Sequence, residues 1–364
     1  MALTRRAPRR RRLRPLWGAV VALAIGCAPL THAGFERRAP LADAPLPERA
    51  RIFLVAGGVD VANFAAEVIE QRRFWRAQGF ADDAIACYYA RPTKAGFRGD
   101  RRQYRRLFRA LEGCYAASTA TVRAHLAAAA ERRPPFLYLY VTTHGVDSLV
   151  GDSGDALPPD ERSLLDRYVL QLGEGPGAGA RAPAIVAAYR DGAPREELLF
   201  TPDVLADALA RFPAETPKLV VLQGCHSGGF LAEPRGRAAE IQRIPNLTAI
   251  ASARYDRTSF GCDAGPDRTY FGALFAHLLR GYAGRSPPEI PWRTLFAELR
   301  AALRELEERK GVRASLPVFF TSRVTDGAGA GPDGGDDAAD DASPVGAGED
   351  VDMDMSKETG GASG

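Results

Sequence analysis

Between Arg51 and Val324 the chain repeats one pattern, in which an apolar run of strand length is followed by a stretch with helical periodicity. Strands of a parallel sheet are buried on both faces, so they read as continuous apolar runs, and each needs a crossover, usually a helix, to reach its parallel neighbour. The alternation therefore predicts an α/β fold whose central sheet is mainly parallel, with about six strands and helices on both faces. The runs are Arg51 to Val55, Ile85 to Tyr89, Phe136 to Val141, Lys218 to Gln223, Leu247 to Ser252 and Leu316 to Phe320. Helical patterns cover Ala62 to Gln78, Tyr270 to Gly281 and Trp292 to Lys310. Ser118 or Thr119 is suited to cap a helix that runs to about Arg132, where Pro134-Pro135 ends it. Thr201-Pro202 opens another, since proline fits the first turn. Leu149 to Ala193 is rich in Gly and Pro and reads as an irregular insertion with a short helix around Ser163 to Leu172.

The two ends depart from this pattern. Seven arginines within the first fourteen residues precede the apolar stretch Leu16 to Leu30, which is short for a membrane span of about 20 residues. Residues 1–33 therefore read as an export signal and 34–50 as a linker. Ala24-Ile25-Gly26-Cys27 resembles a bacterial lipobox, in which Cys27 would carry a lipid and tie the protein to the envelope membrane. Thr31-His32-Ala33 has the small residues of an ordinary cleavage site, which would release it to the periplasm, and an uncleaved anchor is a third reading. Residues 326–364 form an acidic tail with almost no apolar content, so its ordering entropy has nothing to offset it and disorder is expected. That leaves 51–325 as the folded domain.

Composition excludes several functions. The formal charge of +3 comes with an arginine-rich leader set against an acidic tail, and the middle of the chain is close to balance. The one dense basic cluster, Arg101, Arg102, Arg105 and Arg106, reads as a solvated helix face, so no nucleic-acid partner is expected. Five cysteines show neither C-x-x-C pairing nor zinc-ligand spacing with the five histidines, which argues against a metal and gives no sign of another cofactor. With Cys27 lipidated and Cys225 kept as a thiol, Cys87, Cys114 and Cys262 allow at most one disulfide, its pairing open. No feature specifies an oligomeric state.

Two strands run into reactive residues. Phe136 to Val141 leads to Thr142-Thr143-His144-Gly145, and Lys218 to Gln223 leads to Gly224-Cys225-His226-Ser227-Gly228-Gly229. The carboxyl ends of parallel strands share one rim, where ligands bind, so His144 and Cys225 are expected to face each other there. An imidazole beside a thiol stabilises the thiolate and returns a proton to the leaving group. The amides of Gly145 and Cys225 are candidate oxyanion donors. A rival nucleophile is Ser227, in half of a G-x-S-x-G elbow; it would need Asp263 or Asp267 and His277, and His277 reads as a packed core histidine.

These residues sit in an ordered series of motifs. FLYLYVTTHG (136–145), LVVLQGCHSG (219–228), IASARYDRTSFGC (250–262), Tyr270-Phe271-Gly272 and VAGGVDVANF (55–64) together resemble the legumain-type, or asparaginyl endopeptidase, family of cysteine peptidases. The resemblance implies a caspase-like three-layer sandwich and a protein or peptide substrate cut through a thioester acyl-enzyme. It puts His144 and Cys225 on the catalytic dyad and Asn63 on the asparagine that orients the histidine, although Asn63 also suits a helix cap. It makes Gln223, Thr258, Ser259, Asp263 and Asp267 the candidates for the substrate pocket. The family's pocket arginine and histidine are replaced by Ala65 and Ala66, and its acidic residue two before the nucleophile by Gln223, so asparaginyl specificity does not carry over. The altered pocket also fits a catalytically weak scaffold on the same fold.

Overall fold

The computed structural model describes residues 44–58, 61–90, 107, 109–151, 157–173, 178–232, 240–262 and 268–323. The leader with Cys27, Arg101 to Arg106, Asp263, Asp267 and the acidic tail lie outside these residues. The strands are β1 (Ile52–Ala56), β2 (Ile85–Tyr89), β3 (Tyr115–Ala116), β4 (Leu137–Thr142), β5 (Gly145–Val146), β6 (Val169–Leu170), β7 (Lys218–Gln223), β8 (Leu247–Ala251) and β9 (Val318–Thr321). The helices are α1 (Asn63–Ala77), α2 (Thr119–Glu131), α3 (Pro159–Leu165), α4 (Ala178–Arg190), α5 (Arg195–Leu198), α6 (Pro202–Ala210), α7 (Tyr270–Arg280) and α8 (Trp292–Lys310).

Every apolar run of the sequence becomes a strand of one seven-stranded sheet, ordered β3-β2-β1-β4-β7-β8-β9. All neighbours are parallel except β8 and β9. Side chains alternate between two cores. Phe53, Val55, Leu139, Val141, Val220 and Leu222 pack with α2 and α6 on one face. Ile52, Leu54, Tyr138, Tyr140, Leu219 and Val221 pack with α1, α7 and α8 on the other. The result is a three-layer α/β sandwich, and burial on both faces is why the strands are continuously apolar. Among the described residues no helix is long and apolar enough to cross a membrane.

Local signals set the helix ends. Ser118 caps α2 by accepting the Thr121 amide, and Thr269 caps α7 by accepting that of Gly272. On α1 the buried polar residues Asn63, Glu67 and Gln71 recur every four positions. Glu67 and Gln71 face β4, where Tyr138 and Tyr140 donate to Gln71 and Glu67 at 3.0 and 2.9 Å and Thr142 donates to Glu67 at 2.7 Å. Four residues of helix rise about 6 Å and two of strand about 6.7 Å, so the two polar series stay in step.

The structure departs from the sequence reading in three places. β3, with two residues at the sheet edge, is the seventh strand. The stretch from Leu149 to Ala193 is not irregular: it holds α3, β6 and α4 around a third apolar cluster of Leu149, Leu164, Leu165, Val169, Ile185, Val186 and Leu199. Its first helix starts at Pro159 rather than Ser163, because proline suits a first turn, and it ends at Leu165, where Asp166 leaves helical geometry. Val169 and Leu170 then pair antiparallel with Val146 and Gly145.

The open disulfide assignment resolves as Cys87–Cys114, tying β2 to the segment before β3 over 27 positions. Closing a loop of that length in the unfolded chain stabilises the native state by about 3–4 kcal/mol. Replacing both cysteines by alanine should therefore lower the unfolding midpoint by roughly 10 °C in a domain of this size, as read by calorimetry without reductant. An unchanged midpoint would contradict this.

Candidate active site

β4 and β7 are adjacent, with Thr142 opposite Gln223, and the Thr143 amide donates to the Gln223 carbonyl at 3.0 Å. His144 and Cys225 thus leave the sheet at the same rim, each two residues beyond the Thr142–Gln223 pair. The chain order reverses between β1 and β4, so β4, whose end carries His144, borders the switch point where α/β sheets bind ligands. The two turns meet backbone to backbone: a Cβ placed on Gly145 would overlap the Cys225 carbonyl oxygen and lie 2.9 Å from its carbonyl carbon.

Cys225 is half-buried, and its sulfur accepts the Ser259 amide at 3.3 Å and donates to the Ser259 carbonyl at 3.5 Å. Its thiol is lowered to about 6, most of all by a hydrogen bond from the Cys262 thiol, while burial works the other way; the Ser259 backbone and the His226 and His144 imidazoles add to the lowering. A thiolate is the reactive form. Alkylation of Cys225 by iodoacetamide, followed by peptide mass spectrometry, is therefore expected to rise with pH to half its maximum near 6. A midpoint near the ordinary value of about 8.5 would refute the perturbation.

His144 is half-buried, its ring meeting Phe64 edge-on at 5.1 Å between centroids. Its carbonyl accepts the Gln171 amide at 2.8 Å, which anchors the turn to the segment just after β6, the antiparallel partner of β5. His226, given no role from the sequence, has left-handed backbone at φ 59° and donates from Nδ1 to the Tyr255 carbonyl at 2.9 Å. Its place directly after the nucleophile was the available signal.

The other expected site residues divide. Asn63 donates to the Gly261 carbonyl at 2.6 Å and accepts the Phe64 amide at 2.9 Å, so its amide clamps the 259–262 segment to α1, and the neighbouring Phe64 supplies the ring against His144. Gln223 is buried beneath the rim rather than on a pocket wall, its Oε1 lying 2.6 Å from the Thr142 hydroxyl, whose one proton it shares with Glu67. Through Thr142 it connects to Glu67, a buried carboxyl that also accepts from the Thr269 amide and hydroxyl at 2.8 and 2.7 Å. Burial raises the Glu67 carboxyl, against the lowering effect of these hydrogen bonds. Thr258 is exposed and Ser259 buried against the nucleophile. Asp263 and Asp267 lie outside the described residues.

Two features weigh against Ser227 as a nucleophile. Ser227 is fully buried, and its hydroxyl accepts the Ala253 amide at 3.3 Å, fixing the turn to the end of β8. His277 is exposed, contrary to the packed position expected of it. Phe271, Phe275 and Leu279 form the inward face of α7, and a residue two places from Phe275 points the opposite way. Among the described residues no group of His, Cys, Asp and Glu has the arrangement of a metal site.

No protein-family model matches the sequence, and no curated protein matches it. Among solved structures, protein GSU0716 from Geobacter sulfurreducens is similar over 77% of this chain and 95% of its own, at 15% identity and a TM-score of 0.42.

Proposed function

We propose that the protein is a cysteine endopeptidase, or a closely related transpeptidase, of the legumain type on a caspase-like fold. The observation that carries this reading is the contact between the His144-Gly145 and Cys225 turns, which puts a low-pKa thiol and an imidazole on one rim. The ordered motifs of the sequence support the family, and the α/β sandwich is compatible with it.

In this mechanism the Cys225 thiolate attacks the carbonyl carbon of the scissile bond. The oxyanion that develops is held by the amides of Gly145 and Cys225. His144 protonates the leaving amine as the carbon–nitrogen bond breaks, giving a thioester. Water or a second amine, deprotonated by His144, attacks the thioester and releases Cys225. Ser259 orients the thiolate through its amide, and Thr258 stands exposed beside it as a pocket residue. Glu67 and Gln223 hold the end of β4 from beneath. A disulfide in the fold suits an oxidising compartment, which supports export to the cell envelope.

The direct test is a peptide carrying a thiol-directed electrophile, with asparagine or a basic residue before the reactive group, and mass spectrometry to find the labelled residue. Labelling of Cys225 that depends on the peptide and slows in His144→Ala is the expected result. Labelling confined to Ser227, or none, would sink the proposal.

A further inference from the structure

Cys225 and Cys262 converge on one backbone group. The Cys225 sulfur lies 3.5 Å from the Ser259 carbonyl oxygen and the Cys262 sulfur 3.7 Å from the same oxygen. Gly261 makes this possible: with φ at +84° it turns the chain back so that Cys262 returns toward Ser259, a conformation that favours glycine. Both cysteines are thiols and both are half-exposed. The Cys87–Cys114 bridge differs, with its residues 3% and 0% exposed inside the fold. The molecule thus holds one sealed disulfide and, at the reactive rim, a second pair that solvent can reach.

We propose that Cys225 and Cys262 form a reversible disulfide, so that a peroxide closes the site and a dithiol reopens it. The Cys225 thiolate attacks one oxygen of hydrogen peroxide, the oxygen–oxygen bond breaks, and the departing hydroxide takes a proton to become water, leaving Cys225 as a sulfenic acid. The Cys262 sulfur then attacks the Cys225 sulfur and expels hydroxide, which carries away the Cys262 proton as a second water. Two thiols are oxidised and one peroxide is reduced. A dithiol reverses the step by exchange, becoming a cyclic disulfide itself. The bridge also protects the nucleophile, because a sulfenic acid captured by a neighbouring thiol does not advance to the irreversible sulfinic acid. Bond formation stands on the thiols alone, and only the consequence for turnover rests on the peptidase reading.

The experiment treats the full chain with hydrogen peroxide, blocks remaining thiols with N-ethylmaleimide and maps peptides without reduction. A peptide linking Cys225 to Cys262 is expected in the wild type, and dithiothreitol should return both residues to alkylatable thiols. In Cys262→Ser, and in Cys262→Ala as a second variant, the same treatment should drive Cys225 to sulfinic acid that dithiothreitol does not reverse. Absence of the linked peptide, or equal sulfinic acid formation with and without Cys262, would overturn the proposal. If the linked peptide forms in a protein that shows no peptide cleavage, the thiol switch stands and the peptidase reading alone falls.

Discussion

Cys225→Ala is expected to remove peptide cleavage by at least about four orders of magnitude, the scale on which an enzyme loses turnover without its nucleophile. The variant should still fold. The side chain is half-buried at the rim, and its two contacts with Ser259 are weak ones to sulfur, so the stability cost is about 1 kcal/mol. Cys225→Ser should be nearly as inactive, because a hydroxyl beside an imidazole ionises far less readily than a thiol. Ser227→Ala provides the contrast. It leaves the Ala253 amide without its hydroxyl acceptor and should cost about 1–2 kcal/mol of stability, with most activity retained. Steady-state cleavage of a fluorogenic peptide library by the three variants reads all of this at once. An active Cys225→Ala would end the dyad assignment, and a dead Ser227→Ala beside it would transfer the role to the serine.

The sheet was legible because its geometry leaves a plain mark. A strand covered on both faces carries few polar residues, so β1, β2, β4 and β7 appear as nearly unbroken apolar runs, and their limits hold to within a residue or two. The rim was legible for the same reason: once the two runs are parallel strands, the turns at their carboxyl ends must share one edge. Elements of two residues leave no such mark. β3 and the β5–β6 pair are too short to show a period and exist through their partners, Tyr88 and Tyr89 for the first and each other for the second. The insertion misled because its prolines looked like interruptions, whereas Pro159 opens a helix.

The site was only half written in local pattern. His144 and Cys225 were visible from their positions after strands, but the partners of each are remote in sequence. Asn63 reaches Gly261 across 198 positions and Cys225 reaches Ser259 across 34, and nothing local specifies either. Glu67 is a missed residue that did leave a signal. Asn63, Glu67 and Gln71 fall at four-residue spacing on the α1 face that also buries Phe64 and Val68, and the hydroxyls of Tyr138, Tyr140 and Thr142 alternate along β4. Two matched polar periods inside apolar elements are a readable sign of a buried hydrogen-bonded seam. The seam gives the rim its footing, because Glu67 holds both Thr142, two residues before His144, and Thr269 at the start of α7.

Gly145→Ala should be the most damaging single change that leaves every reactive group in place. Its methyl group would overlap the carbonyl oxygen of Cys225 and crowd that residue's backbone nitrogen at 3.2 Å. Neither neighbour is the flexible end of a side chain, so the strain cannot be relieved by a rotamer change and the two turns must move apart. Overpacking of this kind costs about 1–3 kcal/mol or more in stability, and β5 loses its alignment with β6. The chemical cost is larger. His144 is bonded directly to Gly145, and a displacement of about 1 Å between base and nucleophile is enough for roughly a hundredfold loss of rate. The amide assigned to the oxyanion moves with it. The expected result is a drop in kcat/KM of at least about 100-fold, with the loss concentrated in kcat because positioning rather than substrate affinity is spoiled. Iodoacetamide should still modify Cys225, since Ser259 and Cys262 stay in contact with the sulfur, and near-ultraviolet circular dichroism on the same sample distinguishes a shifted turn from an unfolded chain. A folded Gly145→Ala with unchanged kcat would mean that the approach of these two turns is not what assembles the catalytic pair.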